Sequence, residues 1–345
     1  MTRTRTPLIL GVESSCDETA AAVLRDRTIL SNVIASQAET HREFGGVVPE
    51  LASRHHLEQI DLVIDLALRR AGVGLDAIDA VAVTHGPGLV GPLLVGLQAA
   101  KAIAWARGVP LLGVNHLEGH LRSVWLEHGD LPAPSVHLVA SGGHTALYRV
   151  DADERITRLA RTRDDAAGEA FDKLAKMLGL GYPGGPVVDR MASTGDETAV
   201  PLPRPKMSDG SLDFSFSGFK TAALRHAQAK NLERAFPAPA DPSQEARDLM
   251  ASFQAQVVEF MVRRLMTVAD REGARALGLS GGVACNSRLR RRAAEEAERA
   301  GLELFVAGRA LAVDNAAMIA AVGRRLYLAG VTAPPDLNAE PRLEL

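Results

Sequence analysis

The chain has 345 residues, 46% of them hydrophobic and 23% charged, enough for two folded domains with sizeable cores. Its formal net charge of −3 excludes nucleic-acid binding by bulk attraction, so any RNA contact must come from local patches. Cys16 and Cys285 lie too far apart in sequence for a CxxC site and exclude a disulfide framework, Leu8-Ile9-Leu10 is too short for a signal peptide, and Gln98 and Lys101 interrupt the longest apolar stretch; the expectation is a cytoplasmic protein without a membrane segment.

Residues 8–24 read as strand, polar turn, strand, with Glu13, Asp17 and Glu18 in a turn able to present carboxylates and backbone N–H groups to a metal–phosphate. An ordinary polar turn is the alternative. His41 to Pro49 carries Gly45-Gly46 and reads as a loop. The helix over 50–71 places Leu57, Ile60, Ile64, Ala67 and Ala71 at apolar spacing, with Gly72 as its stop and Arg54, His55 and His56 facing solvent or, alternatively, a phosphate or RNA. Ala80–Val83 is a buried strand entering the glycine-rich stretch Gly86-Pro87-Gly88-Leu89-Val90-Gly91, which matches neither the dinucleotide nor the P-loop pattern. A helix over 92–107 and a strand over 109–114 follow. Strands alternating with helices argue for an α/β sheet.

Val114-Asn115-His116-Leu117-Glu118-Gly119-His120 then opens a helix. At about 100° per residue, His116 and His120 share one helical face and can share a metal ion, although a chance pair has the same spacing. Glu118 lies about 200° around the helix from His116, which excludes the zinc-protease arrangement with its general base beside the first histidine.

Pro132-Ala133-Pro134 marks a joint, and residues 135–150 repeat the pattern of strand, small-residue turn (Ser141-Gly142-Gly143) and strand. The recurrence suggests two related domains, each offering its turn to a cleft, with Ser-Gly-Gly suited to phosphate oxygens. The helix over 168–179 sets Glu169/Lys173 and Asp172/Lys176 four apart as surface ion pairs, and a helix starts near Val187 with Asp189 in its first turns. Phe214 and Phe216 alternate like a strand, with Ser217 a candidate helix cap. Residues 228–244 read as a surface insertion, followed by a helix over 245–271. Ala276–Leu279 is a strand that enters Ser280-Gly281-Gly282-Val283, with Asn286 before a helix from about Arg288. Arg288, Arg290, Arg291 and Arg292, and separately Arg204 and Lys206, are basic clusters for which a solvated surface is the simpler reading. Asp314 opens the last helix as its N-cap or, alternatively, as a carboxylate completing a two-histidine site.

The ordered motifs Gly-Val-Glu-Ser-Ser-Cys-Asp-Glu-Thr (11–19), Gly-Gly-Val-Val-Pro-Glu-Leu-Ala-Ser-Arg (45–54), His-Leu-Glu-Gly-His (116–120), Ser-Gly-Gly-His-Thr (141–145), Gly-Glu-Ala-Phe-Asp-Lys (168–173), Tyr-Pro-Gly-Gly-Pro (182–186), Phe-Ser-Phe-Ser-Gly-Phe-Lys-Thr (214–221), Ser-Gly-Gly-Val (280–283) and Asp-Asn-Ala-Ala-Met-Ile-Ala (314–320) carry a resemblance across residues 8–330. The chain resembles the bacterial TsaD family of tRNA threonylcarbamoyladenosine transferases. The resemblance implies an α/β actin-like/sugar-kinase fold of two ribonuclease-H-like domains around a nucleotide cleft, over 1–131 and 132–313, with the helix near 314–330 packing back on the first. It implies transfer of a threonylcarbamoyl group from threonylcarbamoyl-AMP to the exocyclic amine of adenosine 37 in tRNAs reading codons that begin with A, with release of AMP. Carried over by motif, His116, His120 and Asp314 bind one divalent metal, iron in preference to zinc. Val139, Ala140, Ser141, Gly142, Gly143, Asp172, Gly185, Asp189 and Asn286 bind the adenylate, where Mg²⁺ can accompany the nucleotide. Glu13 and Asp17 match an acidic turn facing metal and phosphate, with Asp17 or Glu18 the candidate proton acceptor. The implied partners are tRNA, a TsaB-like paralogue, a TsaE-like ATPase and a separate synthase making the adenylate. Ala312-Val313 stand where the family pattern has Cys-Thr. A phosphotransferase and a non-enzymatic nucleotide-binding scaffold are the rival readings.

Overall fold

The computed structural model describes residues 6–203, 205, 207, 209–234 and 241–345. Arg204 and Lys206, one of the two basic clusters, lie outside these residues, as does part of the expected insertion. In chain order the elements are β1 (Leu8–Glu13), β2 (Glu18–Arg25), β3 (Thr28–Ser36), α1 (Ala38–Arg42), α2 (Pro49–Ala71), β4 (Ala80–Gly86), α3 (Val90–Arg107), β5 (Leu111–Asn115) and α4 (His116–His128). Then come β6 (Ser135–Ala140), β7 (Thr145–Val150), β8 (Ile156–Arg161), α5 (Ala167–Met177), α6 (Gly184–Ala192), α7 (Ser217–Ala229) and α8 (Gln244–Arg271). The described chain closes with β9 (Ala276–Ser280), α9 (Ser287–Ala300), β10 (Glu303–Val306), α10 (Arg309–Ala312) and α11 (Ala316–Leu328).

Two compact units result. The first takes the chain up to Ala38, Val47–Gly129 and Asp314–Leu345; the second takes Glu39–Gly46 and Asp130–Val313. Each holds one five-stranded sheet, ordered β3-β2-β1-β4-β5 in the first unit and β8-β7-β6-β9-β10 in the second. In both, the first three strands are antiparallel neighbours and the last two join in parallel.

Strand alternation explains how β1 is buried on both faces. Leu8, Leu10 and Val12 enter a core with Ile60, Val63, Ile64 and Ala67 of α2 and Leu97, Ala100 and Ala104 of α3. Ile9, on the opposite face, packs with Met318, Ile319, Ala320 and Val322 of α11. Gly11 shares that second face because a Cβ there would run into the Ala316 carbonyl and Ala320, so the missing side chain brings α11 down onto the sheet. In α2 the buried stripe differs by one position from the expected one. His56 is fully buried while Leu57 is 66% exposed. The cause is long-range: His56 Nε2 donates to the Cys16 carbonyl at 3.0 Å, and the Thr19 hydroxyl lies 2.7 Å from Nδ1.

The second unit is built around α8, whose Ser243 cap accepts from Ala246 N at 3.3 Å. Phe214, Phe216 and Phe219 are buried; Phe214 stacks on Phe216, and the three meet Phe253 and Phe260 of α8 edge-on or tilted. Each such burial is worth roughly 2–3 kcal/mol, which accounts for the aromatics as core. Only Phe214 makes a strand-like bridge, to Thr162, and Ser217 makes no side-chain cap bond to α7. The motif is tied to residues 164–173 instead. Asp164 accepts from the Phe216 N–H at 2.8 Å and the Ser215 hydroxyl at 2.5 Å, while Asp165 receives Lys173 at 2.6 Å and Lys220 at 2.7 Å. Residues 41–49 are not all loop, since α1 reaches Arg42. Among the described residues no helix is long and apolar enough to cross a membrane.

Candidate metal centre and substrate cradle

In the first unit β1, β4 and β5 run parallel, with Val12 beside Val83 and Thr84 beside Val114, so their carboxyl ends share one edge. Ligand sites in α/β sheets form beyond such edges. Glu13 ends β1, and β5 runs directly into α4, whose first residue is His116. Asn115 makes that junction: its side chain accepts from Leu117 N at 2.8 Å and Glu118 N at 3.4 Å. His116 and His120 stand one turn apart with ring centroids at 4.7 Å. Between them Gly119 faces α11, where a Cβ would come within 2.9 Å of Ile319 Cδ1, so the glycine permits the close helix approach.

Asp314 enters from the turn before α11. Asn315, rather than Asp314, caps that helix, accepting from Met318 N at 3.1 Å. Asp314 Oδ1 lies 3.1 Å from His120 Nε2 and 3.5 Å from His116 Nε2. These separations match the ligand-to-ligand edge of about 3.3 Å in a tetrahedral site with bonds near ~2.0 Å. Nδ1 of His120 is buried without a hydrogen bond among the described residues, and its buried Nε2 has the Asp314 carboxylate beside it, where a metal would bind both. Two imidazoles and one carboxylate are a donor set for iron or zinc, whereas Mg²⁺ takes oxygen ligands. The three therefore fit a metal, and all their ligand atoms lie within 4.8 Å of one another.

The electrostatics of the centre are set by burial and countercharge. Burial disfavours the His116 imidazolium, but the Asp314 and Glu13 carboxylates outweigh it and hold the pKa well above the ordinary histidine value. Burial likewise disfavours the Asp314 carboxylate, and His116 outweighs it, leaving that pKa well below the usual range. Glu13 lies beside the candidate ligand His116. It is fully buried, its Oε2 2.9 Å from His116 Nδ1 and accepting from Thr84 Oγ1 at 2.6 Å. Asp17 remains in the β1–β2 turn, buried, and does not join the three ligand atoms. Glu18 has a pKa raised well above the carboxylate range, first by burial and then by the charges of Asp17 and Asp314. Glu118 is turned to other partners, 2.7 Å from Arg325 and 3.8 Å from Arg122.

The second unit gathers the remaining candidates at the carboxyl ends of β6 and β9. Val139 and Ala140 end β6, and Gly142 and Gly143 are exposed in the turn that follows. The Ser141 carbonyl accepts from Gly168 N at 3.2 Å at the start of α5, and a Cβ at Gly168 would stand 2.6 Å from that oxygen. Asp172 accepts from Gly184 N at 2.7 Å, which fixes the start of α6, rather than pairing with Lys176 as expected; Lys176 donates to the Phe44 carbonyl. Gly185 faces open space on its Cβ side. Asp189 is braced by Gln254 Nε2 at 2.5 Å and the Ser287 hydroxyl at 2.7 Å, and Asn286 caps α9 through Leu289 N at 3.0 Å. Three helix N-termini, of α5, α6 and α9, are thus tied to the candidate residues, those of α6 and α9 through the carboxylates of Asp172 and Asp189.

A family profile described as "TsaD: tRNA N6-adenosine threonylcarbamoyltransferase" matches residues 28–321. The chain belongs to this family. It is 53% identical over 333 residues to a protein of that name from Geobacter metallireducens (strain ATCC 53774 / DSM 7210 / GS-15), covering 96% of this chain and 95% of the relative. It is also 53% identical over 339 residues to the namesake from Symbiobacterium thermophilum (strain DSM 24528 / JCM 14929 / IAM 14863 / T), covering 98% and 97%. Among solved structures, HypF from T. kodakarensis aligns with a TM-score of 0.61 at 15% identity, covering 96% of this chain and 49% of that one. Full-length HypF in its phosphate- and nucleotide-bound form gives 0.60 at 14% identity, covering 96% and 57%. These likenesses show the fold alone, which is α/β of the actin-like/sugar-kinase class.

Thr84 and Gln254 lie outside the ordered motifs and reach Glu13 and Asp189 only in three dimensions; the one available signal was that Thr84 follows directly on the buried run over 80–83. The α9 arginines are largely spent on other partners. Arg288 pairs with Glu197, Arg290 donates to the Ala284 and Ala307 carbonyls, and Arg292 engages Glu259, Glu295 and Glu296. Only Arg291 of the four is exposed, so the cluster is a set of partly buried pairs rather than the expected solvated face.

Proposed function

We propose that this chain transfers the threonylcarbamoyl group from threonylcarbamoyl-AMP to the exocyclic amine of adenosine 37 in tRNAs reading codons that begin with A, releasing AMP. The observation that carries the reading is the convergence of His116, His120 and Asp314 in a chain of this family. These three residues would hold the metal, iron in preference to zinc. When bound there, such an ion supplies Lewis-acid polarisation of a substrate oxygen.

The remaining work falls to the chain's own groups. An aromatic amine is a weak nucleophile, so orientation and a good leaving group matter more than a strong base. The turn Ser141–Gly143, with Val139 and Ala140 before it, and the helix starts braced by Asp172, Gly185, Asp189 and Asn286, would hold the adenylate phosphate and nucleoside. Mg²⁺ can accompany that phosphate. The amine nitrogen forms a bond to the carbamoyl carbon as the carbon–oxygen bond to phosphate breaks, and AMP carries away the electron pair. Asp17 or Glu18 takes the amine proton.

The proposed companions are a TsaB-like paralogue, a TsaE-like ATPase and a separate synthase for the adenylate, in the cytoplasm. Large apolar side chains left exposed on α2 and α3, Leu57, Leu62 and the 88% exposed Trp105, support a protein partner on the first unit. The test is reconstitution. Purified chain with these companions, ATP, threonine, bicarbonate and unmodified tRNA should form threonylcarbamoyladenosine by nucleoside mass spectrometry. A phosphorylated small molecule in its place would point to a phosphotransferase.

A further inference from the structure

The carboxylate of Glu13 sits among donors on every side. Its Oε1 accepts from Ser15 N at 2.5 Å, and its Oε2 accepts from Thr84 Oγ1 at 2.6 Å and lies 2.9 Å from His116 Nδ1. The Ser15 hydroxyl is a second neighbour of that nitrogen, at 3.2 Å. Glu13 has no exposed surface, so neither oxygen is presented to a substrate. An ionised carboxylate only accepts, which requires Nδ1 of His116 to carry its proton and leaves the Nε2 lone pair for another partner. Nε2 is the atom that faces Asp314 Oδ1, at 3.5 Å. The neighbouring His120 has no such support: its Nδ1 is buried without a hydrogen-bond partner among the described residues.

We propose that Glu13 is a positioning residue that fixes the tautomer and ring orientation of His116, so that His116 presents Nε2 to the metal. This rests on the assignment of His116, His120 and Asp314 as metal ligands. A carboxylate behind a ligating imidazole orients the ring and raises its basicity, and loss of such a partner costs about 10–100-fold in metal affinity. The two donors that hold Glu13, from Ser15 on its own turn and Thr84 on β4, explain why the carboxylate is fixed before any ligand arrives.

Glu13→Gln is the sharp test because it keeps the volume and removes one acceptor. Its single oxygen cannot serve Ser15 N on one side and both Thr84 and His116 on the other. Zinc affinity, read by competition with a chromophoric chelator, should fall about 10–100-fold in Glu13→Gln. In zinc-loaded, histidine-labelled wild type, the long-range proton–nitrogen spectrum should show His116 protonated at Nδ1 and metallated at Nε2, a pattern lost in the variant. Unchanged zinc affinity in a folded Glu13→Gln protein, or metal on Nδ1 of His116, overturns the proposal. If that variant does not fold, the wild-type nitrogen spectrum carries the test: His116 protonated at Nδ1 and metallated at Nε2 supports the role, and metal on Nδ1 overturns it. His116→Ala and Asp314→Ala are the separate control. If both bind zinc like wild type, the ligand assignment itself fails.

Discussion

At the scale of single residues, His56 shows how one buried side chain can hold a functional turn. Its ring bridges the Thr19 hydroxyl and the Cys16 carbonyl, so it pins the stretch between Glu13 and Thr19 from outside the sheet. A carbonyl only accepts, so Nε2 carries the proton and Nδ1 accepts from Thr19 in the neutral ring. Burial lowers its pKa, against smaller opposing effects of the Cys16 carbonyl and the Glu13 and Asp17 charges, so the folded protein disfavours the imidazolium. The sign follows. Below the ordinary value of 6.5 the unfolded chain binds a proton that the folded chain resists, so this contribution is lost as pH falls from 6.5 toward the depressed folded value. Urea denaturation across that window should show a stability loss that is smaller in His56→Gln than in wild type. At pH 7, His56→Ala should cost about 1–3 kcal/mol, because it leaves a buried hydroxyl and carbonyl without their partner. Equal pH slopes in wild type and His56→Gln would remove His56 from the account.

At the scale of elements, α11 matters because the turn that leads into it delivers Asp314. The cap is Asn315, so Asn315→Ala should destabilise the chain by about 1 kcal/mol through loss of the bond to Met318 N, while Asp314→Ala should carry no capping penalty. Guanidinium unfolding checks this: unchanged stability in Asn315→Ala would take the cap from Asn315, whereas a loss in Asp314→Ala reports its buried pairing with His116 and His120. Sequence could not separate these neighbours, because Asp and Asn are both good caps and only the backbone path decides which side chain folds back. The hairpins β1–β2 and β6–β7, the parallel strands β4, β5 and β9 and the α4 histidine pair were legible, since each rests on local periodicity or a short turn. β8 was not read: it is a partly exposed strand with arginines at 158 and 161, pairing with β7 alone, and its apolar content is low. The exchange of His56 for Leu57 in the buried stripe of α2 was also illegible, because the partners that make a buried histidine tolerable lie some 40 residues away in sequence. The same holds for Glu13, whose acidic turn was plain but whose oxygens are claimed by residues 71 and 103 positions downstream.

At the scale of the whole molecule, one sheet topology is used twice with different chemistry at corresponding places. Glu13 and Ala140 are the last residues of β1 and β6, each the final paired position before its hairpin turn. In the first unit that position carries a carboxylate held against His116; in the second it is a small residue leading into Ser141-Gly142-Gly143. After β5 the chain enters a helix that opens on His116, whereas after β10 it enters α10, which holds no histidine, cysteine or acid. The scaffold is duplicated but the metal ligands are not. The group of His116, His120 and Asp314 is accordingly the one potential metal-holding group found among the described residues. Elemental analysis after loading and gel filtration should therefore give about one ion per chain, falling toward zero in His120→Ala. Asp189→Ala, which alters the second unit, should leave that stoichiometry unchanged while weakening adenylate binding. A second tightly held ion per chain, or retention of the first in His120→Ala, would contradict a single site built from α4 and the start of α11. Because each imidazole must be neutral, with its ligating nitrogen unprotonated, to bind, the measured occupancy should also rise with pH in the acid range, as metal displaces the second proton that the carboxylates hold on His116.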